Sequence, residues 1–184
     1  VIVEAKEIPQ SVEERSIEER VDLRAKTTIT IDGETAKDFD DAVSIEKTHN
    51  GYRLWVSIAD VAHYVRKGSL LDKEAYTRGT SVYFPDRCVP MLPESLSNGI
   101  CSLNPNVDRL TLTAEMDFDH NGNILHSKFY ESVIKSFERL TYTKVKEILA
   151  SRHETQDSRL KQDLLLMEEL CLKLKAKRAE LGSI

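Results

Sequence analysis

Five carboxylates fall within fourteen residues of the segment TIDGETAKDFDDAV, which runs from Thr30 to Val43. Carboxylates this close together in a partly dry site cannot all stay ionised unless cations neutralise them. Oxygen ligands with no His or Cys nearby favour Mg²⁺ or Mn²⁺ over Zn²⁺. Such ions position a water molecule and stabilise charge in phosphoryl transfer. The segment therefore predicts a divalent-cation site for phosphoryl transfer, formed by Asp32, Asp38, Asp40 and Asp41.

The residues alone leave other interpretations of this acidic segment open. A solvated surface loop is the ordinary outcome for a run of charge. Here the tightly flanking apolar strands and Phe39 within the loop favour a built site. A calcium-binding EF-hand would need the order Asp-x-Asp-x-Asp-Gly, which is missing. A phosphatase with an aspartate nucleophile would need an apolar strand directly before Asp38, and GETAK is not one.

The segments around the acidic loop are predicted to form strands and hairpins. The β-branched run Thr27–Ile31 indicates a strand that ends at the acidic loop. Asn50-Gly51 and Asn121-Gly122 each separate two alternating segments, which is typical of hairpins. A helix is predicted from Ser69 to Arg78, with Ser69 as its N-cap. Two hairpins without repeated strand–helix–strand units favour an α+β fold built on antiparallel sheet.

A long amphipathic helix is predicted between Asp157 and Leu181, with Gly182 at its C-terminal end. Packing of its apolar stripe onto the domain is favoured over recruitment of a partner. The stripe consists of Leu160, Leu164, Met167, Cys171 and Leu174. Of the three cysteines, Cys101 and Cys171 are interpreted as small core residues. The odd count and the spacings fit reduced thiols in a cytoplasmic protein.

Composition indicates a globular protein without a membrane span. Hydrophobic residues make up 40% of the 184 residues, and no run of 18 apolar residues occurs. The net charge of −5 argues mildly against a surface that grips nucleic acid by itself. Residues 1–24 are crowded with charge and poor in apolar residues, and they are interpreted as a linker or arm.

Tyr83 and Phe84 are adjacent aromatics in the extended segment SVYFP. Neighbouring strand residues point to opposite faces, so at most one of them can face a cavity. From the residues alone, core packing is favoured for both.

Four separated motifs agree in order and spacing with one known family. They are TIDGETAKDFDDAV, RLWVSIADVAHYV, RGTSVYFPDRCVPMLPESLSNGICSLNP and RLTYTKV. Together they closely resemble the catalytic domain of the ribonuclease II and ribonuclease R family, nearer to its ribonuclease R branch. The resemblance runs from about Arg20 to Ala150 and more weakly to Ile184. It implies an antiparallel-sheet-rich α+β catalytic domain with flanking helices, truncated here at its C-terminal side.

The resemblance also implies an activity and assigns residues to it. The family's members are processive 3′-to-5′ exoribonucleases that hydrolyse single-stranded RNA to nucleoside 5′-monophosphates with Mg²⁺. Asp32, Asp38, Asp40 and Asp41 fall on the family's acidic active-site positions. Tyr83 matches the tyrosine that clamps the 3′-terminal nucleotide, whereas Phe84 stays assigned to packing. Arg109 follows the Pro-rich signature and is the favoured arginine for a phosphate contact.

The family pattern further implies cold-shock-type domains before this domain, an S1-type domain after it and a cytoplasmic location. It also implies that residues 1–24 are an arm from a preceding binding domain and that residues 25–184 are the N-terminal portion of the exoribonuclease catalytic domain. Two alternatives to the exoribonuclease remain. One is a non-catalytic RNA-binding fragment of the same fold, and the other is a Mg²⁺-dependent phosphatase acting on small molecules.

Overall fold

The computed structural model describes residues 1–84, 86–150 and 158–182. Its centre is a large sheet, accompanied by a short two-stranded ribbon. The strands, in chain order, are β1 (Val21–Asp22), β2 (Ile29–Asp32), β3 (Asp41–Thr48), β4 (Gly51–Ala59), β5 (Val82–Tyr83), β6 (Cys88–Val89), β7 (Asp108–Asp119), β8 (Ile124–Lys135) and β9 (Glu138–Thr141). Strands β5 and β6 form the ribbon, and the other strands form the sheet.

The sheet has the spatial order β1-β8-β7-β4-β3-β2-β9. The four inner pairings, from β8 to β2, are antiparallel, whereas β1 runs parallel to β8 and β9 runs parallel to β2. The predicted antiparallel-rich α+β fold is therefore confirmed. Strand β2, which ends in an aspartate, lies between β3 and β9 near one edge.

Both predicted hairpins are confirmed, with turns between β3 and β4 and between β7 and β8. At Gly51 the backbone φ is 147°, and a Cβ there would lie 2.3 Å from the carbonyl oxygen of Phe118 on the neighbouring strand β7. The close approach of β4 to β7 therefore requires glycine at this position.

The helices are α1 (Ile2–Glu7), α2 (Val61–Tyr64), α3 (Leu70–Arg78), α4 (Tyr142–Ala150) and α5 (Ser158–Glu180), with a π-type helical segment at Ser95–Ile100. The predicted cap of α3 is confirmed, because Ser69 Oγ accepts a hydrogen bond from the Asp72 amide at 3.1 Å. Among the described residues, none of the helices combines the length and apolar character needed to cross a membrane.

Helix α5 packs with α4 against one face of the sheet. Leu160 and Leu164 join a core cluster with residues of β2, β9 and α4, and Leu170 joins a second cluster with residues of β3, β4 and β7. The predicted stripe is confirmed except at Cys171, which is exposed, so its assignment to the core was wrong. Positions 170 and 171 both continue the helical spacing from Met167, and the larger Leu170 is the one buried.

The opposite face of the sheet packs against the irregular chain between β6 and β7. Phe39, Trp55 and Ile134 contribute to one cluster with Leu103, which is fully buried. Cys101 is buried in a neighbouring cluster, as predicted. The apolar content of this irregular segment thus forms part of the core.

The first 24 residues are packed against the rest of the domain. Ala5 is buried, and Glu4 Oε2 accepts a hydrogen bond from the Leu71 amide at 3.0 Å. Arg20 forms a buried ion pair with Asp60 at 2.6 Å. Because β1 also joins the sheet, this segment is not a free arm, while its role as a connector and the boundary at residue 24 stay predictions.

Candidate active site

The acidic loop connects the end of β2 to the start of β3. Asp32 is the last residue of β2, and Asp41 is the first residue of β3. The two strands are antiparallel neighbours, so the end of β2 and the start of β3 lie side by side at the same end of the strand pair. Residues 33–40 cross between them and carry the remaining two aspartates.

Phe39 fixes the loop against the domain. Its ring is buried, although the residues on both sides of it are acidic. Its amide donates to Ser102 Oγ at 2.9 Å, and its carbonyl accepts from the Leu103 amide at 2.8 Å. The predicted role of Phe39 in placing the loop is therefore confirmed. Burying this ring opposes the mutual repulsion that would otherwise open the loop.

Arg139, on β9, supports the same loop from the other side. Its Nη2 donates to the carbonyls of Gly33 at 3.1 Å and Glu34 at 2.9 Å, and its guanidinium carbon lies 4.9 Å from the centre of the Phe39 ring. The sequence predictions gave Arg139 no role. The one available signal was its place at the start of the motif RLTYTKV.

The four aspartates influence one another electrostatically. Burial raises the pKa of Asp32, and the negative charges of Asp41 and Asp38 raise it further, while Arg139 opposes them. Partial removal from water raises the pKa of Asp40, as do the charges of its three aspartate neighbours. Raised pKa values are the expected behaviour of carboxylates held close together, and a bound cation would lower them.

Asp32 also has a buried oxygen, Oδ2, that no hydrogen-bond donor contacts in the described structure. A buried carboxylate oxygen without a partner carries a large desolvation cost, which a bound cation would remove. This orphaned oxygen and the all-carboxylate donor set both fit a hard divalent cation. Asp32, Asp38, Asp40 and Asp41 are the residues that would bind it.

The loop brings these aspartates together only in part. Within residues 1–84, 86–150 and 158–182, no group of three or more acidic, histidine or cysteine side chains is already positioned to hold a metal ion. The predicted convergence of all four carboxylates into one metal site therefore stays a prediction. Asp40 and Asp41 are exposed, although partial removal from water still raises the pKa of Asp40.

Tyr83, on β5, lies next to the acidic loop. Its hydroxyl donates a hydrogen bond to Asp38 Oδ2 at 2.8 Å, and this bond raises the pKa of Tyr83 to about 12. The side chain is 66% exposed, so one face of the ring is open to a ligand. The predicted role of Tyr83 in clamping the 3′-terminal nucleotide stays a prediction.

Phe84 is 46% exposed, so its assignment to core packing was wrong. The β5–β6 ribbon contains only two residue pairs, Val82 with Val89 and Tyr83 with Cys88. Tyr83 and Phe84 are both exposed, so no layer formed by the described residues covers this ribbon. The guanidinium carbon of Arg87 instead lies 5.0 Å from the centre of the Phe84 ring.

Arg109 has a different environment from the one that a phosphate contact requires. It is 7% exposed, and its guanidinium donates to the carbonyls of Ser102 at 2.7 Å, Asp108 at 2.9 Å and Gly99 at 3.1 Å. It therefore fastens the π-type segment and the chain after it to β7. The sequence could not show this, because the partners are backbone carbonyls whose positions depend on the tertiary fold.

Comparison with known proteins places this chain in one family. The family model for the RNB domain matches residues 20–184. Ribonuclease R of Vibrio cholerae is 52% identical over 181 residues, which cover 96% of this chain and 22% of that protein. This chain thus spans about a fifth of the length of that relative.

Solved structures of ribonuclease R also match the fold of this chain. Ribonuclease R of Mycoplasma genitalium in complex with double-stranded RNA superposes with a TM-score of 0.92 at 36% identity, covering 98% of this chain and 32% of that one. The same enzyme in complex with ribose-methylated single-stranded RNA gives a TM-score of 0.90 at 36% identity, covering 96% of this chain and 28% of that one.

Proposed function

Because this chain belongs to the RNB-domain family, we propose that the protein is a hydrolytic exoribonuclease that degrades single-stranded RNA from the 3′ end, processively, to nucleoside 5′-monophosphates. The observation that carries the proposal is the loop of four coupled aspartates in which Asp32 keeps a buried, unpartnered oxygen. RNA is the proposed ligand because a relative of this fold was solved with it.

Mg²⁺ is the proposed cofactor, with Mn²⁺ as the alternative. A divalent ion in this loop would neutralise charge on the scissile phosphate and make the attacking water more acidic. Asp32 and Asp41 supply carboxylates from the ends of two paired strands, so their backbone positions are fixed by the sheet. Asp38 and Asp40 supply carboxylates from the loop, on either side of the buried Phe39.

The reaction is hydrolysis of one phosphodiester bond. The oxygen of water forms a bond to phosphorus in line with the 3′-oxygen of the preceding nucleotide and gives up a proton to solvent. The bond from phosphorus to that 3′-oxygen breaks, and the 3′-oxygen takes up a proton from solvent to become a hydroxyl. The products are a nucleoside 5′-monophosphate and an RNA shortened by one residue. We place the terminal base against the exposed ring of Tyr83, beside the aspartates. Stacking of this kind binds every base, which suits an enzyme that removes nucleotides in succession.

Replacement of Asp40 tests the proposal. Asp40→Asn is expected to lower turnover of 5′-labelled poly(A) with Mg²⁺ by about 100-fold or more, because loss of a ligand removes several kcal/mol of charge stabilisation. Binding of poly(A) should remain. Asp22→Asn is the matched control, since Asp22 lies on β1 at the opposite edge of the sheet. Hydrolysis by Asp40→Asn at the rate of the control would contradict the proposal.

One observation favours a second candidate, non-catalytic RNA binding. The described residues contain no ready-made group of metal ligands. This candidate predicts that poly(A) binds equally well with a chelator present and that Mg²⁺ causes no release of AMP. The exoribonuclease instead predicts loss of full-length RNA to AMP and a short limit product, which a chelator stops.

A further inference from the structure

The hydrogen bond between Tyr83 and Asp38 joins the β5–β6 ribbon to the acidic loop. The two residues are 45 positions apart, so local geometry does not impose the contact. The ribbon is itself fastened at its base, where Arg78 Nη1 donates to the Pro90 carbonyl at 3.2 Å. The phenol is therefore presented to the loop by a supported element.

Asp38 is the loop aspartate whose orientation depends on this contact. It lies outside the paired strands, so no backbone ladder fixes it as the ladder fixes Asp41. A carboxylate on a loop loses rotational freedom when it becomes a ligand, and a hydrogen bond formed beforehand reduces that loss. The tyrosine hydroxyl contacts Oδ2, so a cation would be bound through the other oxygen, Oδ1. Groups that hydrogen-bond to a carboxylate ligand without binding the metal themselves commonly orient that ligand. Their loss lowers the metal affinity by about 10- to 100-fold.

We propose that Tyr83 is a positioning residue for Asp38: its hydroxyl holds the carboxylate in the orientation that the cation site uses, separately from any stacking of its ring on RNA. This inference rests on the proposed function, because it assigns Asp38 to a cation site. The two roles belong to different parts of one side chain, so two substitutions separate them. Tyr83→Phe removes the hydroxyl and keeps the ring, whereas Tyr83→Ala removes both.

The first measurement uses the metal alone. Binding of Mn²⁺ is followed by the paramagnetic resonance signal of the free ion, with wild-type protein, Tyr83→Phe and Tyr76→Phe. Tyr76 is an exposed tyrosine on α3, so its variant controls for loss of a surface hydroxyl. We expect the dissociation constant for Mn²⁺ to rise by about 10- to 100-fold in Tyr83→Phe and to stay unchanged in Tyr76→Phe.

The second measurement separates the hydroxyl from the ring. Tyr83→Phe should bind poly(A) like the wild type in the presence of a chelator, and excess Mg²⁺ should restore its turnover. Tyr83→Ala should bind poly(A) more weakly, and excess Mg²⁺ should leave that weaker binding unchanged. A structural role alone would not produce rescue by Mg²⁺.

The outcomes distinguish failure of the positioning role of Tyr83 from failure of the proposed function. If the wild type binds Mn²⁺ and degrades poly(A) but Tyr83→Phe binds Mn²⁺ equally well, the positioning role is overturned and the proposed function stands. If the wild type neither binds Mn²⁺ nor degrades poly(A), the proposed function fails and the positioning role falls with it.

Discussion

The ionised side chain of Asp32 destabilises the metal-free protein. One of its oxygens is buried without a partner, and burial together with neighbouring aspartates raises its pKa. An acid whose pKa is higher in the folded state than in the unfolded chain binds protons more strongly when folded. Its ionised form therefore lowers stability, and this cost grows as the pH rises from below the ordinary carboxyl pKa through the raised value.

We accordingly expect Asp32→Asn to raise the melting temperature of metal-free protein at pH 7. The gain should shrink as the pH falls towards 3.8, the ordinary pKa of an aspartate side chain, because the wild-type carboxyl is then protonated as well. Thermal unfolding monitored by circular dichroism from pH 3 to pH 8 measures the difference. A gain that is constant across this range would show that charge is not its cause.

Arg109 leads to a prediction about stability instead of substrate affinity. Arg109→Met removes the donor from three backbone carbonyls, at least two of which lie in or next to the π-type segment. Each buried acceptor left unpaired costs about 1–3 kcal/mol, so loss of the donor to three carbonyls should lower the free energy of unfolding by about 3 kcal/mol or more. Denaturant titration measures the loss.

Arg87→Met provides the comparison for Arg109. The Arg87 side chain is exposed and pairs with the adjacent Asp86, so its replacement should change stability by less than about 0.5 kcal/mol. Equal stability of the two variants would contradict the structural role of Arg109 and return it to the candidates for phosphate binding.

At the scale of elements, α5 shows how closely helical position determines burial. Leu170 is 2% exposed and Cys171 is exposed, although the two are adjacent. Leu170→Ala should lower the free energy of unfolding by about 2–5 kcal/mol, because it leaves a cavity against Tyr52 and Phe118. Cys171→Ala should change it by less than about 0.5 kcal/mol. The reverse order would place the stripe of α5 one residue further along.

Local sequence signals predicted the elements whose interactions are local. Asn-Gly turns, the Ser69 cap and the spacing of Leu160 and Leu164 depend on contacts within a few residues, and each was confirmed. The placement of Asp32 and Asp41 beside each other was also predictable, because a strand end and the next strand start bracket the loop.

The remaining features depend on long-range contacts that no local pattern encodes. Arg139 reaches the loop only because β9 pairs in parallel with β2. Arg109 is buried because the chain folds back and brings the carbonyls of Ser102 and Gly99 to its guanidinium, and Phe84 is exposed because no layer of the described residues covers the ribbon. In each case the residue type allowed either outcome, and the tertiary environment decided it.

For the whole molecule, a bound cation should stabilise the fold. Mg²⁺ or Mn²⁺ at 100 times its dissociation constant should raise the free energy of unfolding by about 2.7 kcal/mol, provided that the unfolded chain does not bind it. A thermal-shift titration measures the effect, and a chelator should reverse it. The double variant Asp32→Asn, Asp41→Asn should show no shift. A shift of equal size in that variant would place the ion elsewhere.

The parallel pairing of β2 with β9 has a consequence for biosynthesis. Residues 29–32 leave the ribosome roughly a hundred residues before their partners at 138–141. The hairpins can form while the chain is still growing, but this distant pairing closes a large loop and is slow. Until β9 pairs with it, β2 is an exposed edge strand whose unpaired backbone groups can pair with other chains. Strand β2, which ends in Asp32, therefore gains its second neighbour late, after the hairpins of the sheet have already formed.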